Sequence, residues 1–367
     1  MFDCLTFIQK RKSYQEPKLR FLITLVLMKL MRFLLFPFAI LYALVTSIRN
    51  VMFDVGIFNS ASYDKPVIAV GNLSVGGTGK TPQIEYLISL LKEHYKIAVL
   101  SRGYGRATKG FVLATKEHLA ADIGDEPLQF FKKFPEISVA VDEDRVHGIS
   151  KLESAQILLL DDAFQHRKVK AGLYVLLTKY NDLFSNDFVL PTGNLRERRV
   201  GAKRANVVVV TKCPDTIDVF EKEAITKLIR RYFNGPIFFT KIAYAKMLQS
   251  FSLKSIATKD LNDYEVLLLT GIANPTPLLN FLREKRVKFT HKNFSDHHVF
   301  SKHEINEIKH EFKSLPSSKK IILTTEKDYV RLENKLDTLY YLAIETCFVD
   351  RKEEFDQLLT EYVKNSL

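Results

Sequence analysis

Val67-Ile68-Ala69-Val70 followed by Gly71-Asn72-Leu73-Ser74-Val75-Gly76-Gly77-Thr78-Gly79-Lys80-Thr81-Pro82 is the stretch on which the fold turns. A β-branched run ends in a glycine-rich loop, and the loop feeds a helical pattern that begins near Lys80. Glycines at 76, 77 and 79 let the backbone curl so that its N–H groups converge on phosphate oxygens, while the helix points its positive end at them. In such a loop Ser74, Val75, Gly76, Gly77, Thr78 and Gly79 surround the phosphates of a nucleotide such as ATP, Lys80 holds the β- and γ-phosphates, and Thr81 ligates Mg²⁺. Pro82 suits an early helical position, whose N–H has no intrahelical partner. The pattern departs from G-x-x-x-x-G-K-[ST] at its first glycine, which is Ser74 here.

Downstream, Ile157-Leu158-Leu159-Leu160 ends in Asp161-Asp162, an apolar strand closing on two carboxylates. Oxygen ligands suit Mg²⁺, so both are metal candidates beside a turn-forming reading. Around these two anchors the chain alternates strands and helices: strands at 67–70, 97–100, 137–141, 157–160, 173–177 and 207–210, helices at 83–94 and 127–134. Continuous apolar strands between helices predict a P-loop NTPase-like α/β fold: a parallel sheet covered by helices on both faces, with ligands beyond the carboxyl ends of the strands. After Asn234-Gly235-Pro236 a second set begins, with strands at 237–240, 266–270, 321–323 and 339–342 and helices at 276–286, 304–312 and 353–363. The expected domains are a segment 1–50, a P-loop domain 51–235 and a smaller α/β lobe 236–367.

The chain has 367 residues, 46% hydrophobic and 26% charged, which fits a folded protein rather than a disordered one. Its net charge is +12, and residues 1–50 carry eight basic residues (Lys10, Arg11, Lys12, Lys18, Arg20, Lys29, Arg32, Arg49) against Asp3 and Glu16, half of the excess. That concentration points to an anionic surface, and the run Arg196, Arg198, Arg199, Lys203, Arg204 to a phosphate-bearing ligand. Nucleic acid is not expected, since no recognisable binding signature accompanies the charge. Cys4, Cys213 and Cys347 form neither a disulfide framework nor a metal knuckle, which implies a reducing compartment.

Two apolar runs, Phe21–Met28 and Phe33–Ile48, are separated by Lys29 and Arg32. Sixteen residues of helix reach about 24 Å, short of a hydrocarbon core about 30 Å thick. The interior charges would cost about 2.5 to 3.5 kcal/mol each at mid-bilayer, which favours a helix lying in the headgroup region over a span. A buried core helix is the alternative. A signal peptide is disfavoured, because no small-residue cleavage site follows and an ATP site would be idle after export. Met28 and Met31 are alternative starts.

Several strings, taken in order, resemble the tetraacyldisaccharide 4'-kinase family: Val70-Gly71-Asn72-Leu73 leading into the phosphate loop, Ser101-Arg102-Gly103-Tyr104-Gly105, Gly124-Asp125-Glu126-Pro127, Asp161-Asp162-Ala163-Phe164-Gln165-His166, Pro191-Thr192-Gly193-Asn194-Leu195-Arg196-Glu197, Gly271-Ile272-Ala273-Asn274-Pro275, Asp296-His297 and Thr325-Glu326-Lys327-Asp328. Departures are Ala163, where the family usually has Gly, and Arg198, where Pro is common. The resemblance implies transfer of the γ-phosphate of ATP to the 4'-hydroxyl of a tetraacylated glucosamine disaccharide 1-phosphate. It places the enzyme, peripheral or monotopic, on the cytoplasmic face of the inner membrane, with no obligate protein partner.

The resemblance further implies Asp125 as catalytic base, His297 orienting it across a cleft between lobes, and Arg196 steadying phosphate charge. Glu126, Glu197, Asp161 and Asp162 would share Mg²⁺. Read from residues alone, Asp125 and Glu126 before Pro127 equally suit a helix start; a surface loop is the lesser alternative for His297, and His297 and His298, with His291 and His303 nearby, raise a zinc reading. Zinc is disfavoured because no cysteine joins them. The competing functions are a membrane-associated P-loop ATPase working as a switch or transport energiser, and a non-enzymatic lipid-binding scaffold.

Overall fold

The structure, a computed structural model, describes residues 31–367. The apolar run Phe21–Met28 and the basic residues from Lys10 to Lys29 lie outside the described residues. The apolar runs become strands because each is short, rich in β-branched or leucine side chains, and bounded by turn residues. In chain order they are β1 (Val67–Asn72), β2 (Ile97–Ser101), β3 (Val112–Leu113), β4 (Ser138–Val141), β5 (Ile157–Asp161), β6 (Leu173–Lys179), β7 (Val207–Thr211) and β8 (Ile237–Tyr244). There follow β9 (Met247–Leu248), β10 (Ile256–Ala257), β11 (Glu265–Thr270), β12 (Lys288–Asn293), β13 (Lys320–Thr325), β14 (Leu339–Leu342) and β15 (Ile344–Phe348). The principal helices are α1 (Phe36–Asp54), α2 (Lys80–Leu91), α3 (Asp125–Lys133), α4 (Arg145–Ser150), α5 (Val219–Ile229), α6 (Thr276–Glu284), α7 (Lys302–Ser314), α8 (Glu326–Leu332) and α9 (Lys352–Asn365).

The large sheet runs β15-β8-β7-β6-β1-β5-β2-β4-β3 and is parallel except at its edges, where β3 lies antiparallel on β4 and β15 on β8. Side chains alternate across β1. Ile68 and Val70 share a core with Ile84, Leu87 and Leu91 of α2 and Leu128 and Phe130 of α3. Val67 and Ala69 face the opposite layer, beside Ile149 of α4. Each fully buried Leu or Ile here contributes about 1.5–3 kcal/mol relative to exposure. Because β1 and β5 are neighbours in parallel register, with Val70 opposite Asp161, the glycine-rich loop and the two aspartates leave the sheet at the same level.

The second sheet, β12-β11-β13-β14, is wholly parallel, with separate cores on its two faces. The expected boundary between residues 235 and 236 does not separate the two sheets. β8 pairs in parallel with β7, β15 returns antiparallel along β8, and α9 buries Phe355, Leu359 and Val363 in the core of Ile68 and Val70. The smaller lobe is the stretch between Tyr244 and Ile344. Asn234-Gly235-Pro236 is a turn within the winding of the large sheet, since turn residues mark a reversal and not a domain end.

Helix α1 is long and apolar enough to cross a membrane, by length and composition alone. It is not the buried core helix of the alternative reading. Ala39 is its one buried residue, while Phe38, Leu41, Leu44, Val45, Ile48 and Val51 are exposed. Ala43, Thr46, Ser47 and Asn50, the small and polar residues, lie on the less exposed side. The usual amphipathic order is inverted.

Candidate active site

The loop between β1 and α2 is shaped by its neighbours. Ser74, at the position of the missing glycine, makes an antiparallel bridge with Leu195, a backbone state open to any residue. The Val75 amide donates to the Asn194 carbonyl at 2.8 Å, and the Arg196 amide to the Leu73 carbonyl at 2.7 Å. Beyond this bridge the loop curls: Asn72 Nδ2 donates to Thr78 Oγ1 (2.8 Å), Thr211 Oγ1 to the Thr78 carbonyl (2.7 Å) and Lys212 Nζ to the Gly77 carbonyl (2.7 Å). Gly79 sits at φ 89°, a left-handed state that favours glycine, and from it the chain enters α2 at Lys80. Gly71 is needed for another reason. A Cβ there would stand 2.7 Å from Phe164 Cβ and 2.9 Å from the Phe164 amide, so only glycine lets the turn after β5 close against the loop.

That turn carries the acid pair. Asp161 is buried; Ser101 Oγ donates to its Oδ2 at 2.9 Å, and its Oδ1 has no protein partner. Burial, followed by the charge of Asp162, pushes the Asp161 carboxyl up to about 6. Asp162 adopts φ 48°, an uncommon state for a residue with a side chain. Its Oδ1 lies 3.5 Å from Lys80 Nζ and 2.8 Å from Arg196 Nη1. Burial works to raise this carboxyl, but Lys80 and then Arg196 hold it below the usual carboxylate range. Lys80, Asp162 and Arg196 thus form one charge cluster at the mouth of the loop.

An unpartnered buried carboxylate oxygen level with the phosphate loop is a hard-oxygen environment of the kind Mg²⁺ takes. Among the described residues no three Asp, Glu, His or Cys side chains converge to hold an ion by themselves. Mg²⁺ binds through one or two carboxylates together with phosphate and water, so the residues present fit it. Glu126 is close enough to Asp161 for its charge to raise that carboxyl further. Glu197 does not join the metal candidates. It is 2% exposed, and Arg204 donates to both its oxygens (2.7 and 2.9 Å), with Gln165 (3.0 Å) and Asn50 (2.7 Å) completing the shell.

Asp125 and His297 meet across the two lobes. His297 Nδ1 lies 2.7 Å from Asp125 Oδ2, and Arg331 of α8 grips the same carboxylate with Nε on Oδ1 (2.7 Å) and Nη2 on Oδ2. Asp125 is the first residue of α3, and its carboxylate is given to the other lobe, which separates the site reading from a mere helix start. Burial works to raise its pKa; the Arg331 hydrogen bonds and charge, then His297, hold it below the ordinary value. Lys327 Nζ lies 2.9 Å from His297 Nε2 and 3.7 Å from Glu126. A proton on Nδ1 gives to Asp125 and leaves Nε2 to accept from Lys327, but it sets Nδ1 against the Arg331 Nη2 donor at 2.8 Å, so no one neutral tautomer satisfies all three neighbours. The other histidines are engaged elsewhere: His298 with Glu304 (2.8 Å) and His291 with Thr270 (2.8 Å).

Arg331 was not foreseen from the sequence. Its signal is the spacing Lys327/Arg331, i and i+4 on α8, which sets both cations on one helix face. Lys212, which ties the loop carbonyl, had no local signal. Helix α1 docks beside all of this. Arg32 donates to the Pro191 carbonyl (3.1 Å) and to Asn194 Oδ1 (3.1 Å), and Tyr42 Oη to the Arg196 carbonyl (2.9 Å). Phe33 and Phe36 pack edge-on against Phe188. The docked side of α1 therefore holds the segment that carries Arg196, while its apolar side faces outward.

A profile of the family described as tetraacyldisaccharide-1-P 4'-kinase matches residues 31–364. The chain is 49% identical over 346 residues to tetraacyldisaccharide 4'-kinase of Flavobacterium johnsoniae, covering 93% of this chain and 99% of that one. It is 51% identical over 347 residues to the same-named protein of Flavobacterium psychrophilum, covering 92% and 99%, and 42% identical over 354 residues to that of Bacteroides thetaiotaomicron, covering 90% and 93%. Among solved structures it is similar to the "apo" form of LpxK from Aquifex aeolicus in complex with ATP, at TM-score 0.74 and 30% identity over 91% of this chain and 99% of that one.

Proposed function

This chain belongs to the tetraacyldisaccharide-1-P 4'-kinase family and is an ATP-dependent kinase of lipid A biosynthesis; we propose that it moves the γ-phosphate of ATP to the 4'-hydroxyl of a tetraacylated disaccharide 1-phosphate held at the cytoplasmic face of the inner membrane. The observation that carries the site assignment is the Asp125–His297 contact between lobes, 2.7 Å long. Asp125 accepts the proton of the attacking hydroxyl, and His297 fixes the direction of its carboxylate. Lys80 and Arg196, which share Asp162 at the mouth of the loop, offset charge on the phosphates and on the transferring group. Asp161, Asp162, Thr81 and Glu126 are the residues that would hold Mg²⁺ or its waters. When bound, the ion would supply positive charge that offsets the negative charge on the phosphates.

The inverted helix α1 supports the membrane assignment. A four-chain lipid does not leave a bilayer cheaply, at about 0.8 kcal/mol per exposed CH₂, so an outward apolar face on the helix that holds the Arg196 segment brings the site to the lipid. The alternative of a P-loop ATPase acting as a switch is not favoured, because the relatives named above are kinases. The test is incubation of purified protein with Mg-ATP and the lipid disaccharide, followed by thin-layer separation of radiolabelled product. Wild type forms product, and Lys80→Ala, Asp125→Ala and His297→Ala each lose about 10²-fold or more in kcat. Wild-type turnover by Asp125→Ala removes the base assignment.

A further inference from the structure

A second ionic cluster lies away from the phosphate loop and touches no reacting group. Lys133, the last residue of α3, donates to Glu85 Oε2 of α2 at 2.8 Å and to Glu326 Oε2 of α8 at 3.1 Å. Gln129 Nε2 completes Glu85 at 2.7 Å. Both glutamates are under a tenth exposed. Beside this cluster, Lys132 pairs with Glu333 just beyond α8 and stands 5.6 Å from the ring centre of Phe251.

Each of the three joined helices carries candidate site residues: α2 begins at Lys80, α3 begins at Asp125, and α8, which begins at Glu326, bears Lys327 in its first turn and Arg331 in its last. The smaller lobe is tied covalently to the large sheet through the β8–β9 and β14–β15 connections, so the angle of α8 against α3 depends on what clamps the two helices. Two buried carboxyl groups on one partly exposed ammonium are a poor choice for stability alone, because an apolar trio of similar volume is often neutral or better. Its directional bonds fix geometry instead, as buried polar pairs do where register matters.

Resting on the site assignment above, we propose that Lys133 is a positioning residue: by bridging Glu85 and Glu326 it sets the separation between Lys80, Asp125 and the Arg331–His297 pair, and so the alignment of base and phosphate across the lobes. Misplacement of a catalytic group by about 1 Å costs on the order of 10²-fold in rate. Loss of Lys133 therefore acts on kcat and leaves the binding of each substrate nearly unchanged.

The experiment compares the full-length wild type with Lys133→Met, Lys133→Arg, Glu326→Gln and the charge-free triple variant Glu85→Gln/Lys133→Met/Glu326→Gln. It reads kcat, KM for ATP and for the lipid, and unfolding midpoint, with Asp125→Asn in parallel. The expected result is a kcat loss of about 10- to 10²-fold in Lys133→Met, KM values within about threefold, and recovery of most of the rate in Lys133→Arg. The triple variant, which leaves no buried charge unpaired, keeps a wild-type midpoint and the kcat loss. Glu326→Gln retains the Lys133–Glu85 contact, folds in any case and loses a smaller part of kcat. Wild-type kcat in the triple variant or in Glu326→Gln overturns the proposal, because the cluster would then be only structural. Wild-type turnover by Asp125→Asn instead removes the site assignment, whatever Lys133 does.

Discussion

Replacing Arg331 by Met and Asp125 by Asn, singly and together, measures how firmly the smaller lobe holds the candidate base. The pair is bidentate, with one contact of 2.7 Å, and the two side chains are 8% and 9% exposed. An exposed ion pair contributes about 0.2–1 kcal/mol, whereas breaking a buried one from one side costs about 3–5 kcal/mol. This pair falls between, because after loss of Arg331 the carboxylate keeps His297 at 2.7 Å, and after loss of Asp125 the guanidinium keeps Asp328 at 3.8 Å. The expected interaction energy is thus about 2–3 kcal/mol, large for residues in contact. It is read from urea midpoints at constant slope for the four proteins, with kcat measured alongside. Arg331→Met should lose about 10- to 10²-fold in kcat while its KM for ATP stays near wild type, since the residue orients the base and does not touch the nucleotide loop. A coupling below about 0.5 kcal/mol, the ordinary non-additivity of unrelated sites, refutes the reasoning, as does wild-type kcat in Arg331→Met.

Three further expectations follow from the geometry. Leu41→Asp/Val45→Asp, at positions 59% and 58% exposed, should abolish co-sedimentation with anionic vesicles while leaving the unfolding midpoint within about 0.5 kcal/mol of wild type; retained vesicle binding would exclude this face as the contact. Gly79→Val forces a β-branched residue to φ 89° and should weaken Mg-ATP affinity by about tenfold or more, a backbone strain of about 1–3 kcal/mol read by calorimetry. Burial, then the charge of Glu85, lifts Glu326 to about 7, with Lys133 opposing and Glu345 adding. The folded protein therefore holds a proton that the unfolded chain releases, so this group's stabilisation is full below about pH 4.5 and is lost as pH rises through about 7. Glu326→Gln should gain roughly 1–3 kcal/mol relative to wild type between pH 5 and pH 8; a difference that does not change with pH contradicts the assignment.

The phosphate loop and the Asp161–Asp162 turn were legible in the sequence because each is local, the first a strand, glycine-rich loop and helix in succession and the second an apolar strand closing on two carboxylates, and their adjacency follows from parallel winding. The pairing of Asp125 with His297 was legible only through ordered motif resemblance, since 172 residues separate them. Glu197 shows the limit of proximity along a chain. It follows Arg196, yet it meets Arg204, Gln165 and Asn50 while Arg196 meets Asp162. Strand membership was likewise hidden. Nothing within Ile237–Tyr244 says that its partners are Val208–Val210 on one side and residues 344–348 on the other, because ladder partners are chosen by tertiary packing.

The return of the chain's last segment to the large sheet has a consequence for biosynthesis. Helix α1 leaves the ribosome hundreds of residues before β15 and α9, yet the layer under the nucleotide loop is incomplete until Phe355, Leu359 and Val363 arrive. A nascent chain therefore exposes the apolar side of α1 long before it can consume ATP. Truncation by a dozen C-terminal residues should silence the enzyme as thoroughly as damage to its opening motif.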